Sequence, residues 1–271
     1  MSNVSALPVP SFASFIQPPK EVGKPKSILL YGTHGTRKTS ICGSLALVEG
    51  FNKILYIDID QGAEVLMSNP ATRAKVEDGT IQVLPISSLD PQALQKIDAV
   101  IDEITSKDFG YDAVVLDTLD VAQDTAEKVI KKRYEGTKNT FGVFGDLGVW
   151  TDEAARKLHE CPYFMGVVTC HSKEQTLESG AHRILPRLSG SSKDAIGGIP
   201  SIVLFLEYQQ NPETGETHLV AHAGESEVVI SKNRYSLPPM IVDPDMPKLF
   251  KMIEASIASG NAQPEAEKKA A

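Results

Sequence analysis

Residues 27–40 contain the residue types that bind phosphate, in the order SILLYGTHGTRKTS. An apolar run leads into a glycine-bearing loop, and Lys38 and Thr39 open a predicted helix. In such a strand–loop–helix unit, backbone N–H groups surround an anion, the lysine adds positive charge and the threonine hydroxyl binds magnesium. The segment therefore predicts a nucleotide site, formed by Gly32, Thr33, His34, Gly35, Thr36, Arg37, Lys38, Thr39 and Ser40.

The loop departs from the pattern G-x-x-x-x-G-K-[ST] at one position. Gly32, Lys38 and Thr39 fit, but Arg37 stands where the pattern has its second glycine. Glycine there lets the backbone approach the phosphate closely, so the sequence supports the fold more firmly than it supports nucleotide affinity or turnover. An ordinary strand-to-helix turn is the alternative interpretation of the segment.

Carboxylates follow two further apolar runs. Asp117 ends the run Val114–Leu116, and Asp58 and Asp60 end the run YIDID. Open α/β sheets bind ligands at the carboxyl edge, so Asp117 is predicted to hold magnesium, the alternative being a cap on the next helix. Alternation along a strand places Asp58 and Asp60 on one face. Asp60 is the candidate for orienting the attacking water, and solvated strand-end acids are the alternative.

A histidine and two basic clusters complete the candidate residues. His171 follows the apolar run 163–170 and either contacts a terminal phosphate or is a structural histidine. Basic side chains interleaved with aromatic ones suit single-stranded DNA, because cations meet phosphates and bases stack on rings. A solvated helix end is the alternative for the first cluster. The DNA-binding candidates are Lys131, Lys132, Arg133 and Lys138, near Tyr134 and Phe141, and Lys173, Arg183, Arg187 and Lys193 in the long segment 172–200.

Buried-strand patterns alternate with helical ones, which predicts a doubly wound, mostly parallel α/β sheet with helices on both faces. After residue 207 the turn cluster 211–216 predicts an antiparallel β-hairpin extension, followed by a short strand at 227–231 and a helix at about 245–258. The predicted strands are 27–31, 53–59, 80–86, 112–117, 163–170 and 201–207, and the predicted helices are 40–49, 90–106, 119–133 and 146–160. The chain is predicted to divide into a proline-rich extended arm at 1–25, a core at 26–258 and a disordered polar tail at 259–271.

Composition limits the function classes. With 271 residues and a net charge of −8, the chain is not a uniformly basic nucleic-acid binder, so DNA contacts must come from local basic segments. No apolar run reaches membrane-spanning length, and no signal-peptide pattern is recognised. Cys42, Cys161 and Cys170 lie in apolar contexts without metal-site spacing, which predicts buried thiols in a reducing cytoplasm.

The motifs together resemble those of the RecA-like ATPases over about residues 26–240. The chain looks most similar to short phage-encoded nucleotide-binding proteins that include the Sak-type ATP-dependent single-strand annealing proteins. The resemblance rests on the loop 32–39, IDID at 57–60, VVLDTLD at 114–120, FGDLGVW at 144–150, VVTCHSK at 167–173 and VVISKNRYSLP at 228–238.

The resemblance implies roles for individual residues. Lys38 and Thr39 hold phosphate and magnesium, Asp117 is the second magnesium-side carboxylate, and Asp60 falls where the family has a water-activating glutamate. His171 takes the position of a polar phosphate sensor. The pair Lys232 and Arg234 matches a finger that ring ATPases insert into the neighbouring subunit's site, the alternative being a basic edge strand.

The predicted function is a magnesium-dependent, oligomeric ATPase that binds single-stranded DNA and promotes annealing or strand exchange in phage recombination, in the host cytoplasm. The implied cofactors are ATP and Mg²⁺, and the implied partners are single-stranded DNA and further copies of the chain in a ring or filament. The polar tail is compatible with recruiting a single-strand-binding protein. The alternatives are a replication accessory, such as a helicase-like motor or helicase loader, and a nucleotide-binding scaffold without catalysis.

Overall fold

The computed structural model describes residues 27–136, 140–176, 180–190, 192–224 and 226–259. The predicted arm at 1–25, nearly all of the predicted tail and the candidate Lys138 lie outside these ranges.

Ten strands form one mixed sheet in the order β10-β8-β7-β1-β5-β4-β2-β3, with β6 paired to β5 and β9 paired to β7. The five central neighbours β7, β1, β5, β4 and β2 are mutually parallel, and β3 adds a further parallel strand at the edge. The strands are β1 (Ser27–Gly32), β2 (Ile54–Asp58), β3 (Ile81–Pro85), β4 (Ala113–Asp117), β5 (Met165–Thr176), β6 (His182–Pro186), β7 (Ile202–Gln210), β8 (Thr217–His222), β9 (Lys232–Asn233) and β10 (Met240–Val242).

Helices cover both faces of the sheet. They are α1 (Lys38–Gly43), α2 (Pro70–Glu77), α3 (Ala93–Ser106), α4 (Leu119–Arg133), α5 (Thr140–Glu160), α6 (Ser192–Ala195) and α7 (Met246–Ala258), with 3₁₀ turns at Ser44–Leu47, Ala63–Met67 and Ile196–Gly198. No helix in the described part of the chain is both long and apolar enough to cross a lipid bilayer.

Side-chain alternation along β1 shows the three layers. Ile28 and Leu30 pack into the core beneath α1 and α7, whereas Leu29 and Tyr31 pack into the core beneath α3, α4 and α5. Strands buried on both faces carry continuous apolar runs, which is why the sequence predicted them. The predicted α/β fold with a mostly parallel sheet is confirmed, and so is the antiparallel hairpin that β7 and β8 form across residues 211–216.

Helices α4 and α5 pack antiparallel, since Gln123 donates to Thr151 at one end and Tyr134 donates to Asp146 at the other. The final turn of α5 lies against the first residues of β5, where Leu158 meets Gly166. Twenty-one helical residues span about 30 Å, whereas the part of β5 within the sheet spans about 20 Å. The start of α5 and the end of α4 therefore extend beyond the carboxyl edge of the sheet.

Three sequence expectations need correction. The glycine-rich segment before residue 146 is helical, because α5 begins at Thr140. The long segment 172–200, for which the sequence predicted no strand or helix, contains a β-ribbon, since Ser172–Thr176 of β5 pairs with β6. The strand predicted at 227–231 is replaced by a single bridge between Val229 and Ile184, and the short strand β9 begins at Lys232.

Candidate functional site

The phosphate loop lies at the carboxyl edge of β1 and is closed by its own hydrogen bonds. Thr36 Oγ1 donates to the Thr33 carbonyl at 2.8 Å, and Lys38 Nζ donates to the carbonyls of Gly32 and Thr33 at 3.1 and 2.9 Å. Burial lowers the pKa of the Lys38 ammonium, which the charges of Asp117 and Asp120 partly oppose. The lysine is therefore a positioned cation inside the loop.

Two loop residues adopt conformations that explain the sequence pattern. At Gly32, a Cβ atom would lie 2.4 Å from the Leu206 carbonyl oxygen, so no larger residue fits beside β7. Arg37 has φ 58° and ψ 24°, in the left-handed region where glycine is the least strained residue. The glycine of the common pattern therefore matches a left-handed backbone conformation at this position. Arg37 adopts the same conformation although it carries a side chain.

Asp117 is the centre of a cluster of hydroxyl groups. The carboxylate is 2% exposed, and its Oδ2 accepts a hydrogen bond of 2.6 Å from Thr39 Oγ1 and another from the Tyr56 hydroxyl. Thr169 Oγ1 donates to Oδ1. Strand β5 lies between β1 and β4, so the first turn of α1 reaches across it to bring Thr39 onto Asp117. A hydroxyl and a carboxylate at this distance are oxygen donors of the kind that Mg²⁺ prefers.

The strand alternation predicted to place Asp58 and Asp60 on one face does not extend to Asp60, because β2 ends at Asp58. Asp58 is buried, and its oxygens accept from the backbone N–H groups of Gly62 and Ala63 at 3.1 and 3.2 Å. Burial raises its pKa, and these two hydrogen bonds oppose that effect. Asp60 lies in the following bend and is exposed. The Asp58 carboxylate is thus hydrogen-bonded to backbone N–H groups, and Asp60 is the solvent-accessible carboxylate of the two.

His171 lies beside the phosphate loop, in register with Gly32 across the β1–β5 pair. Its ring packs against the ring of His34, with centroids 3.9 Å apart, and its Nδ1 lies 2.9 Å from Asp120 Oδ2. The charge of His171 lowers the pKa of His34, with smaller contributions from desolvation and Lys38. Two of the predicted site residues, His34 and His171, therefore meet directly.

Asp120 is a functional candidate that the sequence analysis missed. It lies in the first turn of α4, three residues after Asp117, and is 0% exposed. The motif VVLDTLD contains it, but a single acid in the first turn of a helix is also typical of a simple helix start. Only the structure shows that it is buried against His171.

The predicted basic residues lie mainly beyond the carboxyl edge of the sheet. Lys131, Lys132 and Arg133 form the exposed last turn of α4, which has the bounds of the helix predicted at 119–133, and Lys131 pairs with Glu127 at 2.6 Å. On the β5–β6 ribbon, Lys173 Nζ donates to the Leu188 carbonyl, and Arg183 lies on β6. Arg187 is paired with Asp120 and Asp124, and Lys193 belongs to α6.

Lys232 and Arg234 lie away from the phosphate loop of their own chain. Lys232 pairs in register with Val203 near the start of β7, whereas the loop glycine Gly32 pairs with Leu206 farther along that strand. Lys232 Nζ donates to the Gly198 carbonyl at 2.6 Å, towards the amino edge of the sheet. The phosphate loop and this pair therefore lie towards opposite edges of the sheet.

A mixed polar and apolar cleft adjoins the phosphate loop. It lies between α1, the 3₁₀ turn at Ala63–Met67 and the start of α7, and is lined by Arg37, Ser40, Leu47, Val65, Asn69 and Asp245, among others. Small-molecule sites commonly combine apolar walls with a few polar groups in this way.

A phosphate loop and an acidic strand end at the carboxyl edge of a mostly parallel sheet define the P-loop class of nucleotide-binding domains. The AAA_24 family of AAA domains matches residues 24–235, and the chain belongs to this family.

Solved structures are similar at low identity. The flagellar accessory protein FlaH from Methanocaldococcus jannaschii has 13% identity and a TM-score of 0.44, covering 81% of this chain and 91% of that one. The RadB recombinase has 17% identity and a TM-score of 0.43, covering 80% and 86%. No curated protein matches the chain.

Proposed function

We propose that this chain is a magnesium-dependent ATPase that works as an oligomer on single-stranded DNA. The observation that carries the proposal is the convergence of three groups at one sheet edge: the Lys38 ammonium, the Thr39 hydroxyl and the Asp117 carboxylate. The 2.6 Å contact between Thr39 Oγ1 and Asp117 Oδ2 joins the loop to the neighbouring acidic strand.

The donor set fits magnesium held together with a nucleotide. The described residues contain no group of three or more His, Cys, Asp and Glu side chains suited to holding a metal by themselves. Mg²⁺ commonly takes only one or two protein oxygens and completes its shell with phosphate and water. Thr39 and Asp117 would hold the ion, which when bound neutralises charge on the phosphates.

The other residues of the site have distinct roles in this proposal. Lys38 exchanges its two loop carbonyls for phosphate oxygens, and the exposed Asp60 orients the attacking water. His171 contacts the terminal phosphoryl group from its position on β5 opposite Gly32. The nucleoside occupies the cleft beside Ser40 and Asn69, which continues from the loop.

The DNA-binding and assembly parts of the proposal rest on the basic segments. The end of α4 and the β5–β6 ribbon both extend beyond the carboxyl edge, so one strand of DNA could contact both. Lys232 and Arg234 lie at another edge, where they suit a finger that enters the site of a neighbouring subunit. The resemblance in sequence extends the proposal to annealing or strand exchange in phage recombination.

The test compares ATP hydrolysis by the wild type and Lys38→Ala, with and without single-stranded DNA, alongside a mass measurement. We expect turnover to fall by about two orders of magnitude or more in Lys38→Ala, because a charge that stabilises the transition state is lost. Lys96→Ala is the matched control, since Lys96 is an exposed lysine that pairs with Asp90 on the surface. Undiminished hydrolysis in Lys38→Ala would overturn the mechanism.

Two further assays test the finer function. Annealing of complementary strands without duplex unwinding supports the recombination role, whereas ATP-driven unwinding indicates a motor. ATP binding without turnover, even with DNA present, would replace the enzyme with a nucleotide-binding scaffold.

A further inference from the structure

Asp120 is a fully buried carboxylate with three hydrogen-bond donors. Its Oδ2 accepts from His171 Nδ1 at 2.9 Å and from Arg187 Nε at 2.8 Å, and its Oδ1 accepts from the His171 backbone N–H at 3.1 Å. Burial acts to raise the pKa of Asp120, but its contacts with His171 and Arg187 hold that pKa well below its ordinary range. Burying an ionised carboxylate costs several kcal/mol unless it is paired and hydrogen-bonded, and this one is both.

The Asp120 carboxylate determines which nitrogen of the His171 ring carries the proton. An ionised carboxylate can only accept hydrogen bonds, so Nδ1 of His171 carries the proton between them. With Nδ1 held by Asp120, Nε2 is the ring nitrogen that remains to meet a ligand. The ring is also packed against His34 of the phosphate loop, with centroids 3.9 Å apart.

Arg187 also contacts both Asp120 and the backbone of His171. Its second guanidinium nitrogen donates to Asp124 at 2.8 Å, and its backbone N–H donates to the His171 carbonyl at 2.7 Å. The guanidinium thus keeps Asp120 charged, while the backbone bond fixes β5 at His171, the last residue that pairs with β1. A carboxylate that served only to start α4 would not need these contacts with the residue facing the loop.

We propose that Asp120 is a positioning residue for phosphoryl transfer, acting through His171, and that Arg187 holds Asp120 in place. The inference rests on the proposed ATPase function. Asp120 fixes the His171 ring so that Nε2 meets the terminal phosphoryl group of a bound nucleotide in one orientation. Such orientation contributes to rate without contributing to nucleotide affinity.

The test is a double-mutant cycle on steady-state ATP hydrolysis with Asp120→Asn, His171→Gln and the combined variant. We expect Asp120→Asn to lower kcat by about tenfold or more and to change KM for ATP by less than about threefold. If Asp120 acts through His171, adding Asp120→Asn to His171→Gln costs less than about twofold more. Asp102→Asn is the matched control, because it removes the charge of an exposed carboxylate that pairs with Lys157 on the surface, and its kcat should stay within about twofold of the wild type.

Two results would overturn the proposal: kcat of Asp120→Asn within twofold of the wild type, or losses that multiply in the combined variant. If Asp120→Asn does not fold, as judged by circular dichroism, Arg187→Gln takes its place in the cycle. Arg187 is 40% exposed, so its replacement is better tolerated. We expect its kcat to fall about threefold at unchanged KM, and an unchanged kcat would count against the proposal.

A spectroscopic measurement separates this proposal from the ATPase function itself. Long-range ¹H–¹⁵N spectra of the wild type, with the His171 signal assigned by its loss in His171→Gln, report which ring nitrogen is protonated. We expect a protonated Nδ1, and an unprotonated Nδ1 would overturn the positioning role even if ATP is hydrolysed. If the wild type hydrolyses no ATP, the proposed function fails on that result alone.

Discussion

Among single residues, Arg37 shows most directly how a backbone conformation constrains a phosphate loop. A residue with a side chain pays about 1–2 kcal/mol for the left-handed conformation that Arg37 adopts at φ 58°. The residue has no side-chain hydrogen bond that caps α1. The arginine therefore brings strain to the loop without a capping contact that offsets it.

The first prediction compares Arg37→Gly with Arg37→Ala. Both variants remove the guanidinium, but only glycine relieves the left-handed strain, so Arg37→Gly should be more stable by about 1 kcal/mol. Urea unfolding followed by circular dichroism measures the difference. Equal stability of the two variants would show that the loop is not strained at this position.

The sequence could predict the residues of the phosphate loop and not their partners. Gly32, Lys38 and Thr39 have the spacing of the phosphate-loop pattern, which a single sequence contains. The contacts of Asp117 with Tyr56 and Thr169 join residues 61 and 52 positions apart, and no local pattern indicates them. Asp120 and Arg187, 67 positions apart, are a pair of the same kind.

Among the secondary-structure elements, α5 shows where local propensity was overruled by packing. Its first turns contain Gly142, Gly145 and Gly148, each of which disfavours a helix by about 1 kcal/mol. Val143 and Leu147 are buried in one cluster with Ile130 of α4, and each such burial contributes about 1.5–3 kcal/mol. Tertiary contacts therefore outweigh the glycines, and α5 begins at Thr140, before the start of the helix predicted at 146–160.

The second prediction uses two glycines with opposite surroundings. A Cβ at Gly166 of β5 would lie 2.1 Å from the Leu158 carbonyl of α5, so Gly166→Ala should destabilise the protein by about 2–3 kcal/mol. A Cβ at Gly145 meets nothing within 4 Å, so Gly145→Ala should stabilise the protein by about 0.5–1 kcal/mol through helix propensity. Urea unfolding of both variants tests the pair, and a Gly166→Ala variant as stable as the wild type would contradict the close contact between α5 and β5.

For the molecule as a whole, the sequence was sufficient to predict the layers of the fold but not the relative positions of distant motifs on it. Continuous apolar runs identified the buried parallel strands, and the turn cluster at 211–216 identified the hairpin. The position of the pair Lys232 and Arg234 relative to the phosphate loop depends on how β7 pairs with β1 and with β9. These pairings join segments that are distant in the chain, so no local sequence pattern indicates them. That position places the pair away from the phosphate loop of the same chain.

The third prediction tests whether Lys232 and Arg234 act in the neighbouring subunit. Lys38→Ala and the double variant Lys232→Ala/Arg234→Ala should each hydrolyse little ATP alone. In a randomly mixed oligomer with equal amounts of both, a working site needs an intact loop on one subunit and an intact finger on the next. Each occurs with a probability of one half, so activity should return to about a quarter of the wild-type value.

The control for this mixture is the chain that carries Lys38→Ala, Lys232→Ala and Arg234→Ala together. It can join the same oligomer but supplies neither loop nor finger, so mixing it with the Lys232→Ala/Arg234→Ala variant should restore no activity. If the first mixture also stays inactive while both variants assemble with each other, the finger does not act between subunits. If the Lys232→Ala/Arg234→Ala variant is fully active alone, the pair has no part in catalysis, and a basic edge strand remains as its role.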